Sequence, residues 1–211
     1  MACTILSVYG AAGAAAELSV TVHQLSGDIV VGAVVVAEPA KPATGVRSTL
    51  KGTINQKNLM FTPEVLVIRT GTTVDFPNGD PVRHQVYSFS SAKKFQLSLY
   101  SGSAHAPVVF DKPGLVTLGC NIHDSMMGYI YVTDSPWFGR TDKAGSVHMR
   151  ELPAGDYTVR IWHPRIKDSV DSLHQKVTML VAGKQQLEFK LQKPLSGLTH
   201  SNGAVKQWED Y

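Results

Sequence analysis

An all-β fold is what this 211-residue sequence predicts, and three observations carry the expectation. Almost every apolar segment is short and rich in β-branched or aromatic residues. Nearly all of these segments are bounded by Gly, Pro, Asn or Asp, the residues that punctuate strands. Over 157–162 apolar and polar residues alternate with the period of two that buries one face of a strand.

Taken in order, strands over 18–23 and 29–37 flank the turn Leu25-Ser26-Gly27-Asp28. The second is expected to end in Glu38-Pro39-Ala40-Lys41-Pro42, which reads as an extended linker. Further strands are expected over 53–55, 64–69, 72–76, 84–88, 95–99, 108–110, 115–119 and 129–133. A last group, 146–149, 156–162, 170–180 and 185–191, is punctuated by Thr141-Asp142-Lys143-Ala144-Gly145 and Leu152-Pro153-Ala154-Gly155-Asp156. These are too many strands for one small sandwich.

Residues 50–133 have the length and strand spacing of one Greek-key sandwich or barrel. Neither flank has enough strands to close a core alone, so 17–46 and 134–193 are expected to fold together as a second β-sandwich into which the middle domain is inserted. The simpler alternative packs the amino-terminal strand pair on the middle domain's own sheet. The polar stretch from Lys193 onward, 194–211, is expected to be a tail in which Trp208 and Tyr211 dock or hang free.

A chain of this length buries a core without staples. Its two cysteines are Cys3 and Cys120, and Cys3 lies in an uncharged, small-residue leader that ends in Ala14-Ala15-Ala16. That leader, 1–16, reads as a signal peptide cut before Glu17, which implies export to the periplasm or beyond and leaves Cys120 as the sole thiol. No later apolar run approaches the roughly 18 residues of a membrane-spanning helix, so no span is expected. Residues 50–133 hold seven basic and five acidic residues with no polybasic block, which argues against nucleic-acid binding. A mildly basic face still suits docking to an acidic partner.

The chemistry concentrates in Cys120-Asn121-Ile122-His123-Asp124-Ser125-Met126-Met127, where a thiol, an imidazole and a thioether share one short loop after a β-rich run. A metal that cycles between Cu(I) and Cu(II) needs ligands acceptable to both, and a thiolate with two imidazoles and a weak axial thioether meets that need. Cys120, His123 and Met126 can supply three of the four. His84, 36 residues before the cysteine and at the start of an expected strand, is the candidate for the fourth.

The residues alone leave other chemistry open. Cys120 beside a base is a potential nucleophile, but no Ser/His/Asp series, phosphate-binding Gly-rich loop or His-Glu-x-x-His helix accompanies it. Structural zinc favours further Cys or His over a thioether. A binuclear copper centre with bridging thiolates would need a second cysteine in the loop. A buried, metal-free cysteine is the plainest alternative.

Three motifs carry a family resemblance. Gly71-Thr72-Thr73-Val74-Asp75-Phe76-Pro77-Asn78 followed by His84, then Phe110-Asp111-Lys112-Pro113-Gly114, then Leu118-Gly119-Cys120-Asn121-Ile122-His123-Asp124-Ser125-Met126 closely resemble the cupredoxins. The compact Cys-x2-His-x2-Met loop is most similar to that of the amicyanins, and the plastocyanins have a longer gap before the Met. The resemblance covers residues 50–133. It implies a Greek-key sandwich holding one type 1 (blue) copper, with His84 as upstream ligand, Cys120 as thiolate, His123 as second imidazole and Met126 as axial sulfur. One or both rings should lie near the surface.

The same resemblance implies a one-electron carrier between protein redox partners, such as a dehydrogenase and a cytochrome, and not an enzyme. Copper delivery or storage is the alternative. Met127, next to the axial position, is the alternative to Met126 there, and is expected instead to point into the core at the start of the last strand of the domain. Asn78 and Asn121 are the candidates for hydrogen bonds that orient the ligands, and each is also an ordinary turn residue.

In the flanks, Thr141-Asp142-Lys143-Ala144-Gly145, Leu152-Pro153-Ala154-Gly155-Asp156-Tyr157, Ile161-Trp162-His163-Pro164 and the run from Gly27 through Val36 resemble the transthyretin-like sandwich found beside carboxypeptidases. That resemblance implies carriage or binding. His163, before a proline at a strand end, could face the middle domain or a partner, and an ordinary structural histidine is the plainer reading. No role is assigned to His23, His105, His148, His174 or His200.

Overall fold

The structure is a computed structural model that describes residues 16–41, 50–103, 105–123 and 125–197. The leader through residue 15, residues 42–49, Ala104, Asp124 and the tail from 198, with Trp208 and Tyr211, lie outside the described residues. Ala16, the last residue of the expected leader, opens the first strand.

The described chain begins with β1 (Ala16–His23) and β2 (Val34–Pro39). There follow β3 (Lys51–Thr53), β4 (Asn55–Lys57), β5 (Met60–Thr62), β6 (Val65–Arg69), β7 (Thr73–Asp75), β8 (His84–Ser88), β9 (Phe95–Tyr100), β10 (Val108–Val109), β11 (Gly114–Gly119) and β12 (Met127–Thr133). The remainder is β13 (Phe138–Arg140), β14 (Ser146–Leu152), β15 (Gly155–Trp162), a 3-10 turn at Val170–Leu173, β16 (His174–Met179) and β17 (Lys184–Lys190). Apart from that turn the elements of the described residues are all strands, in keeping with the all-β class its sequence predicts.

The sheets form layers around three apolar clusters. The sheet β14-β1-β17 faces the sheet β13-β2-β15-β16 across a core that includes Leu18, Val20, Val35, Leu152, Val159 and Phe189. The sheet β10-β7-β3 faces the sheet β6-β12-β11-β8-β9 across a second core that includes Val74, Val86, Phe110, Leu118 and Ile130. Phe110 is fully buried there, which contributes about 1.5–3 kcal/mol relative to exposure.

Strand parity builds the third cluster. Val35 points into the first core, so its neighbours Val34 and Val36 point the other way, onto Val65, Val67, Tyr129 and Tyr131 of β6 and β12. Leu66, Ile130 and Val132, the alternate residues of those two strands, fill the second core. Trp162 closes the junction with its ring 5.3 Å from that of Tyr129, and Arg140 donates from Nη1 to the Val65 carbonyl at 3.1 Å. β2 is thus covered on both faces, which is why its apolar run is continuous instead of alternating.

Several boundaries differ from the sequence expectation. The strand expected over 29–37 begins at Val34, because Gly32 at φ +79° turns the chain first. It runs on to Pro39, into the expected linker, because Pro39 is still paired with Tyr157. The strand expected over 170–180 divides into the 3-10 turn and β16. The strands β4, β5 and β13 are three residues each, and β4, Asn55-Gln56-Lys57, carries no apolar alternation that would betray it.

Candidate metal centre

Three strand ends meet at one edge of the five-stranded sheet. β11 lies between β12 and β8, with Gly119 opposite Met127 on one side and Tyr87 on the other. His84 opens β8, Cys120 follows β11, and Met126 precedes β12. Parity then decides which side chains turn inward. Val116 and Leu118 are core residues, so Cys120 continues their face; His84 shares the face of Val86 and Ser88; Met126 shares that of Gly128 and Ile130.

His84 is fully buried, Cys120 is 3 % exposed and Met126 is 1 % exposed. Met126 lies in the same apolar cluster as Cys120. Met127, expected from the sequence to point into the core, instead faces solvent at 42 % exposure. It is indeed the first residue of β12, but the inward positions there are even-numbered, and one step of register reverses its face.

The Cys120 Sγ lies 3.7 Å from His84 Nδ1 and 3.8 Å from His123 Nδ1. The three donor atoms all fall within 4.8 Å of one another, and the two imidazole centroids are 4.9 Å apart. A nitrogen and a sulfur that share one ion, with bonds of about 2.05 and 2.3 Å opened by about 120°, stand about 3.8 Å apart. The donor set and its spacing therefore fit one metal ion of the kind that accepts imidazole with thiolate, and the three residues make a candidate type 1 copper centre. Burial, then the neighbouring His84, lower the pKa of His123, which favours the neutral ring a metal ligand requires.

The side of His84 away from the thiol is held by a residue the sequence reading missed. Nε2 of His84 lies 2.8 Å from Oδ2 of Asp80, a carboxylate that also accepts the backbone N–H groups of Asn58 and Leu59. Burial pushes the Asp80 carboxyl up, yet the N–H donors of Leu59, His84 and Asn58 outweigh it and hold the group below its ordinary range. Asn78, expected to orient the ligands, acts one step back. Its amide donates to the carbonyls of Val82 and Tyr100 at 2.9 and 2.8 Å, and its oxygen accepts the Asp80 N–H at 3.0 Å. Asn121 is exposed. Asp80 could have drawn notice only as an acid four residues before a candidate ligand, in a Pro-Asn-Gly-Asp-Pro turn that explains itself as a turn.

Tyr100, opposite His84 on β9, braces the same loop. Its hydroxyl donates to the Phe76 carbonyl and accepts from Gln56, and burial raises its pKa to about 12. His163 is not one of the three clustered donors; burial and then the cations Arg165 and Arg140 lower its pKa to about 4.

Comparison with solved structures finds likeness to copper proteins over part of the chain. A Cu-containing nitrite reductase from Thermus scotoductus is 27 % identical at a TM-score of 0.38, over 45 % of this chain and 25 % of the reductase. A purple cupredoxin from Nitrosopumilus maritimus is 24 % identical at a TM-score of 0.35, over 40 % of this chain and 99 % of its own. The amicyanin of Paracoccus versutus is 16 % identical at a TM-score of 0.35, over 46 % and 96 %. The chain thus spans about a quarter of the reductase, an enzyme by its name, and nearly all of the two small proteins. No family model and no curated protein matches the chain. Among the described residues no helix is long and apolar enough to cross a membrane.

Proposed function

We propose that the protein is a type 1 copper protein that carries single electrons between protein partners, with His84, Cys120, His123 and Met126 as the copper ligands. The observation that carries this is a buried thiol set between two imidazole Nδ1 atoms at 3.7 and 3.8 Å. Copper bound there supplies a one-electron change between Cu(I) and Cu(II). The chain's part is to keep the donors still while that charge changes. Strand parity fixes His84 and Cys120, and the Met126 N–H donated to the His123 carbonyl at 2.9 Å closes the loop that carries the other two.

Four protein ligands leave no open place for a substrate, unlike a catalytic metal site, which supports carriage over catalysis. The burial of His84, Cys120 and Met126 favours a carrier over a delivery or storage protein, whose copper must exchange. His123 is only partly buried, and Ile122 beside it is 52 % exposed, so this edge offers a redox partner a short path to the centre. An exported, periplasmic setting fits the uncharged leader. Residues 17–46 and 134–193 then form one discontinuous transthyretin-like sandwich with the copper domain, 50–133, inserted in it. The pairing of β2 with β15 and the separation of the two main cores support that division.

Reconstitution with copper tests the proposal. The wild-type protein is expected to take up one copper, show the intense visible thiolate-to-copper band and give reversible one-electron voltammetry, with the band lost in Cys120→Ser. A colourless wild type would refute it. Rapid transfer of the metal to an apo acceptor, with no recordable potential, would turn the assignment to copper delivery.

A further inference from the structure

Asp80 joins three parts of the chain at one carboxylate. Oδ1 accepts the Asn58 N–H at 2.6 Å, Oδ2 accepts the Leu59 N–H at 3.0 Å, and the same Oδ2 lies 2.8 Å from His84 Nε2. Its side chain is 7 % exposed and that of His84 is fully buried. Asn58 and Leu59 are the two central residues of the β4–β5 hairpin, at φ +55° and +58°. A two-residue turn of this hand needs positive φ at both positions, which Leu adopts at a cost. Here both N–H groups turn to one side and meet the carboxylate.

An ionised carboxylate only accepts hydrogen bonds. With its oxygens taken up by two backbone donors, Asp80 requires the proton of a neutral His84 to sit on Nε2, which leaves the lone pair on Nδ1, the nitrogen that faces Cys120. The Asn78 side chain fixes the backbone of the same loop, so the carboxylate cannot swing aside without breaking it.

We propose that Asp80 is a positioning residue that selects the Nδ1-ligating tautomer of His84 and, as a fixed negative charge one imidazole away from the centre, favours Cu(II) over Cu(I). The first half concerns the protein without metal. The second rests on the copper assignment above.

Long-range proton–nitrogen NMR of the apo protein reads the tautomer directly. Wild-type His84 is expected as a single Nε2–H form, and Asp80→Asn or Asp80→Ala as a mixture or the Nδ1–H form. Voltammetry of the copper-loaded Asp80→Asn protein is expected to show a higher potential by at least a tenfold change in Cu(II) over Cu(I) preference, about 59 mV for one electron. Asp80→Glu, which keeps the charge, should recover part of that shift.

An Nδ1–H form in the wild-type apo protein would overturn the positioning role, and this measurement needs no variant to fold. A carboxylate with a merely structural role would lower stability on substitution while leaving tautomer and potential unmoved, and that result would overturn both halves. Wild-type protein that takes up no copper would remove the copper assignment and the electrostatic half together, and a single Nε2–H tautomer in the same sample would still support the positioning half.

Discussion

Gly128→Ala tests whether the hairpin that grips Asp80 is seated by its contact with β12. An alanine methyl at 128 would stand 2.9 Å from Phe61 Cβ, 3.0 Å from its Cδ2 and 3.1 Å from its Cγ. Carbon atoms rest at about 3.5 Å or more, so β5 must withdraw by roughly 0.5 Å. Rotation of the Phe61 ring cannot relieve this, because the tightest contact is at Cβ, next to the backbone, and the residue is 2 % exposed. Overpacking of this kind costs about 1–3 kcal/mol, offset by about 0.5–1 kcal/mol from replacing a strand glycine. The expected net loss is about 1–2 kcal/mol. Phe61 is paired with Gln56, and the turn between them holds the Asp80 carboxylate, so the displacement reaches His84 through two hydrogen bonds. Urea unfolding should show a lowered midpoint, and the apo His84 tautomer should become mixed. Gly197→Ala is the control, since a methyl there meets nothing within 4 Å and should change stability by less than about 0.5 kcal/mol. A Gly128→Ala protein as stable as the wild type would refute the reasoning.

Two further outcomes follow from groups outside the centre. Thr141 is 3 % exposed; its hydroxyl donates to the Val30 carbonyl at 2.6 Å and accepts the Ala33 N–H at 2.9 Å. Thr141→Val strands both partners, so thermal unfolding should register a loss of about 1–3 kcal/mol with the visible copper band unchanged. His163, with a folded pKa of about 4 against 6.5 unfolded, makes the unfolded chain bind more protons between those values. The stability it contributes is therefore whole above pH 6.5 and is lost as pH falls through 4. Two and a half decades of proton affinity amount to about 3 kcal/mol, reduced to about 1–2 kcal/mol by the solvent that reaches the ring. His163→Asn should flatten that part of the stability–pH curve, and an unaltered slope would exclude the residue.

Residue type and local spacing carried much of the candidate centre. Cys120, His123 and Met126 lie within one loop, so the chemistry that suits copper can be read from neighbours in the chain, and the Pro-Asn turn before His84 marked the upstream donor. The strand pattern likewise declared an all-β chain, because period-two burial is a local property. The three-residue strands β4, β5 and β13 are too short to leave such a mark.

What the sequence by itself supplied, then, was a candidate donor set and the strand class; partnership between distant surfaces was decided only in three dimensions. Met126 and Met127 are chemically identical, and only the register of β12 against β11 turns one inward and the other to solvent. Asp80 looks like any turn acid until the β4–β5 hairpin, 22 residues upstream, brings two N–H groups to it. The valines of β2 announce burial, but not that one face meets β1 and the other meets β6 and β12. Burial of a face depends on which other face covers it, and neither propensity nor spacing encodes that choice until the chain has closed around its cores.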